Sequence, residues 1–226
     1  MSNSKEFILQ RLRDSKAHNP NIPNFEPHYK GAMKLTHELL EEFITNHTNN
    51  KSIIVHSNTE NILHDVKEIL KNEGAKKVLY NPDIIIANAF DTKSLNDENL
   101  SNVELIPYTY SVDEHRGELF SIDTSIVQAR CGVANIGVIG LSANPNAPRL
   151  SSLITNTCIY LLEKQHIVEH MFEGIELMKT YEKQLRGNDV LPSNLIFVAG
   201  PSRTADIELQ TVFGVHGPRK TFVVLY

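Results

Sequence analysis

Short apolar runs alternate with amphipathic segments from about residue 50 onward, and this alternation predicts an α/β fold. A continuous apolar run bounded by turn-forming residues is typical of a buried parallel strand, whereas apolar residues three or four positions apart are typical of a helix. Strands that alternate with helices favour a three-layer, mostly parallel sheet. Strands are predicted at 52–56, 77–80, 103–107, 158–162, 195–199 and 221–225, and helices at 58–72 and 169–185.

Three local features refine this pattern. The apolar run at 83–88 predicts either a strand or part of a connection between a helix and a strand. Pro107 predicts that the strand at 103–107 lies at an edge of the sheet, because proline cannot donate a ladder hydrogen bond. Gly74 is expected to end the helix that begins near residue 58, since glycine is common just after a helix C-terminus.

The first fifty residues predict a helical extension that precedes an α/β domain at 51–226. Residues 4–17 and 32–47 have apolar residues at helical spacing. The segment between them contains Pro20, Pro23 and Pro27, which indicates a loop or arm. Such a helical pair either packs on a neighbouring subunit or covers one face of the sheet, and the sequence leaves both alternatives open.

Composition and charge narrow the class of protein. The net charge is -5 and the pI is about 6.1, so the chain lacks the positive field expected of a general nucleic-acid or membrane-surface binder. No apolar run approaches the roughly 20 residues of a membrane-spanning helix. Charged residues interrupt the N-terminal apolar residues, unlike in a signal peptide. We therefore expect a cytoplasmic protein with no membrane span and no nucleic-acid partner.

Neither the cysteines nor the histidines predict a metal site. Cys131 and Cys158 are the two cysteines, whereas an iron–sulfur cluster takes about four thiolates. Their simplest interpretation is as small, buried apolar residues. His166 and His170 are four positions apart, but no further ligand follows at the spacing of a zinc motif. We therefore expect neither a metal nor another cofactor in this chain.

The most informative stretch is GPSRTADIE at 200–208, which follows the apolar run at 195–199. Its Gly-Pro pair breaks the strand, and Ser202 or Thr204 can cap a following helix. A strand that leads through a turn into a helix points free backbone N–H groups at the carboxyl edge of a sheet, where anions bind. A second motif, GVHGPR at 214–219, adds an imidazole and a guanidinium. The two motifs together predict an anion-binding pocket.

Several side chains of these motifs have a functional and a structural interpretation. Arg203 either holds a carboxylate or phosphate, or pairs with Asp206 at the surface. Asp206 and Glu208 either act as general bases or complement the helix dipole. His216 either shuttles a proton or fixes the turn. The catalytic residue stays unassigned among Asp206, Glu208 and His216, and the candidates for ligand contact in these motifs are Ser202, Arg203, Thr204, His216, Gly217 and Arg219.

The two motifs together resemble the C-terminus of the LUD-domain family, in particular its lactate utilization protein C type. Both motifs occur in the same order, at close spacing and at the end of the chain, as in that family. The resemblance implies a phosphopentose isomerase/CoA-transferase-like (NagB/RpiA/CoA transferase-like) α/β fold and a role in bacterial oxidation of L-lactate to pyruvate. It also implies cysteine-rich and iron–sulfur partner subunits that carry the clusters. The chain is then a non-redox subunit of an L-lactate dehydrogenase complex, not catalytic alone, with a small anionic ligand.

One segment departs from the family pattern. Where the family usually reads A-E-T-G, this chain has Ala-Asn-Ile-Gly at 134–137. Gly137 matches and joins the candidates for ligand contact, whereas Asn135 offers hydrogen bonds but no general base. Two other functions stay open: a small-molecule enzyme of the sugar-phosphate isomerase, CoA-transferase or folate cyclo-ligase kind, and a sensor domain that binds 2-hydroxy acids. Assembly into a homo-oligomer also stays open.

Overall fold

The computed structural model describes residues 3–16, 35–91, 103–110, 117–205 and 211–226. Its contacts divide the chain into two units, Met1–Met33 and Lys34–Tyr226. In the first unit, helix α1 spans Asn3–Lys16, which confirms the helix predicted at 4–17. Phe7, Ile8 and Leu12 form the exposed apolar face of α1. The predicted boundary between an extension at 1–50 and a domain at 51–226 stays a prediction.

In the described part of the chain, the second unit contains four α-helices and twelve strands with complete bounds, and residues 117–119 are also helical. The helices are α2 Leu39–Asn49, α3 Ile62–Glu73, α4 Ala87–Asp91 and α5 Met171–Arg186. The first six strands are β1 Ile53–His56, β2 Lys77–Tyr80, β3 Glu104–Pro107, β4 Thr124–Gln128, β5 Cys131–Val133 and β6 Val138–Ser142. The others are β7 Thr157–Leu162, β8 Ile167–Val168, β9 Leu195–Val198, β10 Arg203–Ala205, β11 Thr211–Phe213 and β12 Lys220–Leu225.

Six strands form a central parallel sheet in the order β1-β12-β7-β4-β2-β3. The two long central strands, β7 and β12, carry almost entirely buried side chains, as expected when both faces of a parallel sheet are covered. β3 lies at one edge of this sheet, as Pro107 predicts. The run at 83–88 is not a strand, because its residues form turns that lead into α4. The predicted α/β fold with a mostly parallel sheet is confirmed.

The two faces of the central sheet contribute to separate apolar cores. Ile159 and Leu161 of β7 pack in one core with Val66 of α3, whereas Tyr160 of the same strand packs in the other with Phe43 of α2. Successive strand residues point to opposite faces, so this division gives three layers. α2 is therefore part of the packed core of the 34–226 unit.

A second, smaller sheet has the order β8-β5-β6-β9, and β10 pairs with β11 in a separate two-stranded ribbon. The run at 195–199 was expected to be a buried parallel strand, and this prediction is wrong. β9 lies at the edge of the second sheet, antiparallel to β6, and its side chains are only half-buried. A short apolar run has the same pattern in either setting, so periodicity alone could not distinguish them.

His47, near the end of α2, links that helix to the loop before β6. Its side chain is fully buried, and its Nδ1 lies 2.7 Å from the Gly137 carbonyl oxygen, which accepts the hydrogen bond. Nε2 is buried without a hydrogen-bond partner among the described residues. Burial lowers the pKa of His47 below its ordinary value of 6.5, since a charged imidazole would lie in the core.

This lowered pKa predicts a loss of stability in mild acid. Below about pH 6.5 the unfolded chain takes up a proton at His47 that the folded chain does not, so the free energy of unfolding falls as pH decreases. The contribution of one such group approaches about 1.4 kcal/mol per pH unit. Urea unfolding at pH 7 and pH 5.5 is expected to show a larger loss for the wild type than for His47→Gln, which does not titrate. An identical pH dependence in both proteins would contradict this assignment.

Candidate functional site

The C-terminal motifs form a hairpin rather than the start of a helix. Arg203–Ala205 is strand β10, and it pairs antiparallel with β11 in the register Arg203↔Phe213 and Ala205↔Thr211. The predicted helix with its cap at Ser202 or Thr204 is therefore wrong. Capping signals are local and weak, whereas Thr-Val-Phe at 211–213 provides a partner strand of strong β preference. Asp206 and Glu208 lie outside the described residues.

The hairpin is attached to the amino end of the central sheet, not to its carboxyl end as predicted. The Arg219 amide donates to the carbonyl oxygen of Asn156 at 2.8 Å, and these two residues directly precede β12 and β7. The Ser202 amide donates to the Pro218 carbonyl at 2.8 Å. The prediction failed because β9, which leads into the motif, belongs to the antiparallel second sheet rather than to the parallel one.

The described candidates for ligand contact in the two motifs lie on neighbouring parts of the backbone. We call residues 200–205 and 211–219 the motif segment. Ser202 and Gly217 are in close contact, since a Cβ at Gly217 would lie 3.2 Å from the Ser202 Cβ. The stem of Arg219 packs against Gly214, whose φ of 82° suits glycine. These contacts place Arg203, Thr204, His216 and Arg219 on one loop cluster.

The cationic groups of the motif segment are exposed. The Arg203 Nη2 donates to the Ala199 carbonyl oxygen at 3.3 Å, and neither Arg203 nor Arg219 forms a salt bridge with a carboxylate that the structure describes. His216 is also exposed. An adjacent groove of about 470 Å³ is lined by 119–120, Leu150, 153–156 and 214–217, and most of this lining is apolar.

Gly137 packs against the C-terminal turn of α2. A Cβ at Gly137 would overlap the Asn46 carbonyl carbon and the His47 amide nitrogen. The Gly137 carbonyl accepts from the Asn50 Nδ2 at 2.8 Å, and a Cβ at Gly200 would overlap the Asn50 carbonyl oxygen. Asn50, directly after α2, therefore contacts Gly137 through its side-chain amide and Gly200 through its backbone carbonyl.

Asn135, a position at which the chain departs from the family pattern, forms a contact with a nearby histidine. Asn135 Nδ2 lies 3.1 Å from Nδ1 of the buried His170, which is the residue before α5. His170 Nε2 lies 3.2 Å from the Glu169 carboxylate. No group of three or more histidine, cysteine or acidic side chains could hold a metal ion in the part of the chain that the structure describes. His166 and His170 thus have no third ligand there.

The two cysteines lie on different strands and are both buried. Cys131 is in β5 and Cys158 in β7, and burial raises their thiol pKa values to about 12 and about 11. Their interpretation as buried apolar residues is confirmed. They do not fit an iron–sulfur cluster, which needs about four accessible thiolates.

The sequence did not predict a cleft at the carboxyl end of the central sheet, where ligands of parallel α/β folds commonly bind. We call it the carboxyl-edge cleft. Its volume is about 180 Å³. The lining comes from the segment after β2, the ends of β4, β7 and β12, and α5. Its residues are Asp83, Ile85, 128–130, Glu163, His166, Tyr181 and Tyr226.

A buried ion pair forms the floor of this cleft. Arg130 Nη2 donates to Asp83 Oδ2, and the two side chains are 3% and 10% exposed. The guanidinium lies over the Tyr181 ring, 4.2 Å from the ring centroid. A cation on an aromatic face is stabilised most when it is desolvated, as here. The ion pair and the ring therefore hold the Arg130 guanidinium in one orientation.

Behind this pair, a hydrogen-bonded network continues to α5. Arg130 Nε donates to the Ser142 hydroxyl at 3.2 Å, and that hydroxyl donates to the buried Glu182. Glu182 also accepts from the Asn144 amide at 2.9 Å and from Arg186 Nε at 3.1 Å. Two guanidinium groups thus balance two carboxylates in a network that ties the second sheet and α5 to the cleft.

Burial raises the pKa values of Asp83 and Tyr226 in this cleft. It raises the pKa of Asp83 more than the neighbouring Arg130 charge lowers it. It likewise raises the pKa of Tyr226 to about 12, against a hydrogen bond from Gln128 that lowers it. The tyrosine hydroxyl therefore stays protonated at neutral pH and can donate. The sequence feature that could have predicted this cleft is the presence of polar residues directly after the apolar runs.

The fold and these two sites define an α/β protein with a parallel sheet flanked by helices and a motif-bearing hairpin at its amino end. The sequence profile of the LUD domain matches residues 40–226. The chain therefore belongs to the LUD domain family. Among the described residues, no helix combines the length and apolarity needed to cross a bilayer.

Curated relatives match the chain over different lengths. An uncharacterised protein of Neisseria meningitidis is 31% identical over 55% of this chain and 51% of its own length. Lactate utilization protein C of Bacillus velezensis is 36% identical over 41% of this chain and 37% of its own length. The chain thus aligns with about half or less of these two proteins. Lactate utilization protein C 1 of Bacillus mycoides is 24% identical over 100% of this chain and 97% of its own length.

A solved structure shares the fold. The crystal structure of a DUF162 family protein from Deinococcus radiodurans at 1.70 Å resolution superposes with a TM-score of 0.57. The superposition covers 83% of this chain and 96% of that one, at 18% sequence identity. At this identity the likeness shows the fold alone.

Proposed function

We propose that this chain is a lactate-utilization protein that serves as a non-redox subunit of an iron–sulfur system oxidising L-lactate to pyruvate. The observation that carries the proposal is the similarity to lactate utilization protein C 1 along the complete chain. Several shorter matches to proteins of the same name support it. The match of the LUD domain over residues 40–226 places both C-terminal motifs inside the aligned family region.

The cysteines support the non-redox part of this proposal. Oxidation of lactate to pyruvate releases two electrons, and iron–sulfur clusters on partner subunits would accept them. This chain has two cysteines, and both thiols lie in the core with raised pKa values. Thiolates, not thiols, bind iron. The chain is therefore proposed to contribute binding and assembly, while cysteine-rich partners carry the clusters.

The motif segment is proposed to hold a small anion. Its support is the pair of exposed guanidinium groups of Arg203 and Arg219, which no described carboxylate neutralises, beside the exposed His216. A guanidinium offers parallel donors to a carboxylate or phosphate. Residues 203–205 form a strand rather than the helix N-terminus that the sequence predicts, so the proposed positive charge is that of these side chains.

Growth on lactate tests the proposed role. A strain of the native host that lacks the gene is expected to fail on L-lactate as sole carbon source and to grow normally on pyruvate. The wild-type gene should restore growth, and the Arg203→Ala/Arg219→Ala variant should restore it poorly. Normal growth of the deletion strain on lactate would contradict the role, and full rescue by the double variant would contradict the anion site.

A further inference from the structure

The groove beside the motif segment lies at the amino end of the central sheet, and we call it the amino-end groove. Its volume is about 470 Å³. Residues 119–120, 153–156 and 214–217 of its lining belong to the segments that lead into β4, β7 and β12. These three strands are neighbours in the central sheet. The walls of the groove are therefore attached to the packed sheet, at the end opposite the carboxyl-edge cleft.

The amino-end groove has a buried apolar floor and an exposed apolar rim. Leu119 is fully buried in an apolar cluster, and the partly buried Ile154 packs against the same cluster. Phe120, Leu153 and Val215 of the lining are 74%, 42% and 54% exposed. Single exposed apolar residues are common on soluble proteins, whereas several around one concave site mark a binding surface. The groove therefore favours a ligand with an apolar part.

Free hydrogen-bond donors lie on one wall of this groove. The backbone amides of residues 215–217 donate to no acceptor in the described part of the chain, and the exposed His216 imidazole lies on the same segment. Successive free amides of this kind attract anions. The stem of Arg219 packs against Gly214 of the lining, so a cationic residue borders this wall. None of the described lining residues carries a carboxylate that would repel an anion.

The volume of the groove sets the size of the ligand. About 470 Å³ compares with roughly 30 Å³ for each water molecule in the liquid, so the groove accommodates up to about fifteen heavy atoms. An acid of two or three carbons would leave most of the apolar lining in contact with water. A longer apolar chain with one anionic head group would occupy both the lining and the free donors. Mostly apolar sites of this size, with a few polar groups, are typical of small-molecule binding.

We propose that the amino-end groove binds a carboxylate with an apolar chain of about eight carbons, with its head group on residues 214–217 and its chain over Leu119 and Ile154. The position of the head group rests on the anion site proposed for the motif segment. The position of the chain rests on the groove alone and is independent of any role in lactate utilization.

Calorimetric titration of the purified full chain with octanoate, butyrate and 1-octanol tests the ligand chemistry. Octanoate is expected to bind. Each buried methylene corresponds to about fourfold in affinity, so butyrate, which has a shorter chain, should bind at least about tenfold more weakly. 1-Octanol lacks the charged head group and should also bind at least about tenfold more weakly. No octanoate binding, or binding by butyrate or 1-octanol as tight as that of octanoate, would overturn the proposal.

Variants at the rim locate the binding site. Leu153→Glu and Val215→Glu each replace an exposed apolar side chain of the lining by a carboxylate. Both are expected to weaken octanoate binding at least about tenfold, because apolar contact is lost and like charges repel. The matched controls are Leu185→Glu and Val190→Glu, since these residues are 50% and 63% exposed and lie outside the lining. The controls should leave octanoate binding unchanged.

Two results of the variant series would overturn the site. Octanoate binding that is unchanged in both rim variants would show that octanoate does not occupy the groove. An equal loss of binding in the rim variants and in their controls would show that the effect comes from net charge alone. Because the substituted side chains are exposed at the surface, none of the four variants introduces a charge into the core.

These measurements separate the groove from the proposed function. Titration uses the isolated chain, whereas growth on lactate depends on the whole system. A deletion strain that fails on lactate, together with a chain that does not bind octanoate, would retain the function and reject the groove. Octanoate binding that the rim variants lose, with normal growth of the deletion strain on lactate, would retain the groove and reject the function.

Discussion

Gly137→Ala is expected to destabilise the folded protein by about 4 kcal/mol or more, a large share of the stability of an ordinary domain. The added methyl group would overlap two backbone atoms of α2, at Asn46 and His47, and would lie 2.7 Å from the Asn46 Cβ. The φ of 60° at Gly137 adds the strain of a left-handed conformation, about 1–2 kcal/mol. Helix backbone cannot move aside as a flexible side chain can, so α2 would have to shift.

Gly187→Ala is the matched control for this prediction. Gly187 has a similar φ of 66°, but a Cβ there would meet no atom within 4 Å. Its substitution is expected to cost only the conformational strain, about 1–2 kcal/mol. Chemical unfolding of both variants measures the difference between them. Equal losses of stability would contradict the close packing of Gly137 on α2.

Arg130→Met is expected to destabilise the protein by about 3–5 kcal/mol, because it leaves Asp83 buried without its counter-charge. The folded-state pKa of Asp83, already raised by burial, should rise further in this variant. The folded form then binds a proton at Asp83 more readily than the unfolded form. The destabilisation should therefore be smaller at pH 5 than at pH 7.

A double-mutant cycle measured by urea unfolding separates this penalty from lost packing. The double variant Asp83→Leu/Arg130→Met contains no unpaired charge at this position and is expected to recover a large part of the lost stability. The contact of Arg130 with the Tyr181 ring is lost in both variants, so it cancels in the comparison. If the effects of the two substitutions on the free energy of unfolding were additive, Asp83 and Arg130 would not be energetically coupled.

The central sheet could be predicted because its strands and their faces are encoded locally. β2, for example, was predicted at 77–80 and is found there. Gly74 ends α3 in a left-handed conformation, as its position after the apolar stripe indicated. Apolar runs of this kind indicate that both faces of a strand are buried, as they are in a parallel sheet with helices on both faces.

The two sites were harder to predict because they depend on long-range pairing. Instead of the helix expected after Ser202, the chain forms a hairpin whose second strand lies at 211–213. Asp83 and Arg130 are 47 positions apart and meet only because β2 and β4 are adjacent in the sheet. No local spacing encodes that neighbourhood. Family motifs identified the family correctly, but they did not show at which end of the sheet the motif segment lies.

Anaerobic affinity purification of the tagged chain from its native host, grown on lactate, tests the proposed subunit role most directly. Copurifying chains would be identified by mass spectrometry, and the visible spectrum and lactate-dependent dye reduction would be measured on the same sample. A strain that expresses the tag alone provides the control. The proposal predicts cysteine-rich partners, a broad absorption band near roughly 400 nm from thiolate-ligated iron, and lactate-dependent activity. A colourless chain that purifies alone, without lactate-dependent dye reduction, would contradict it.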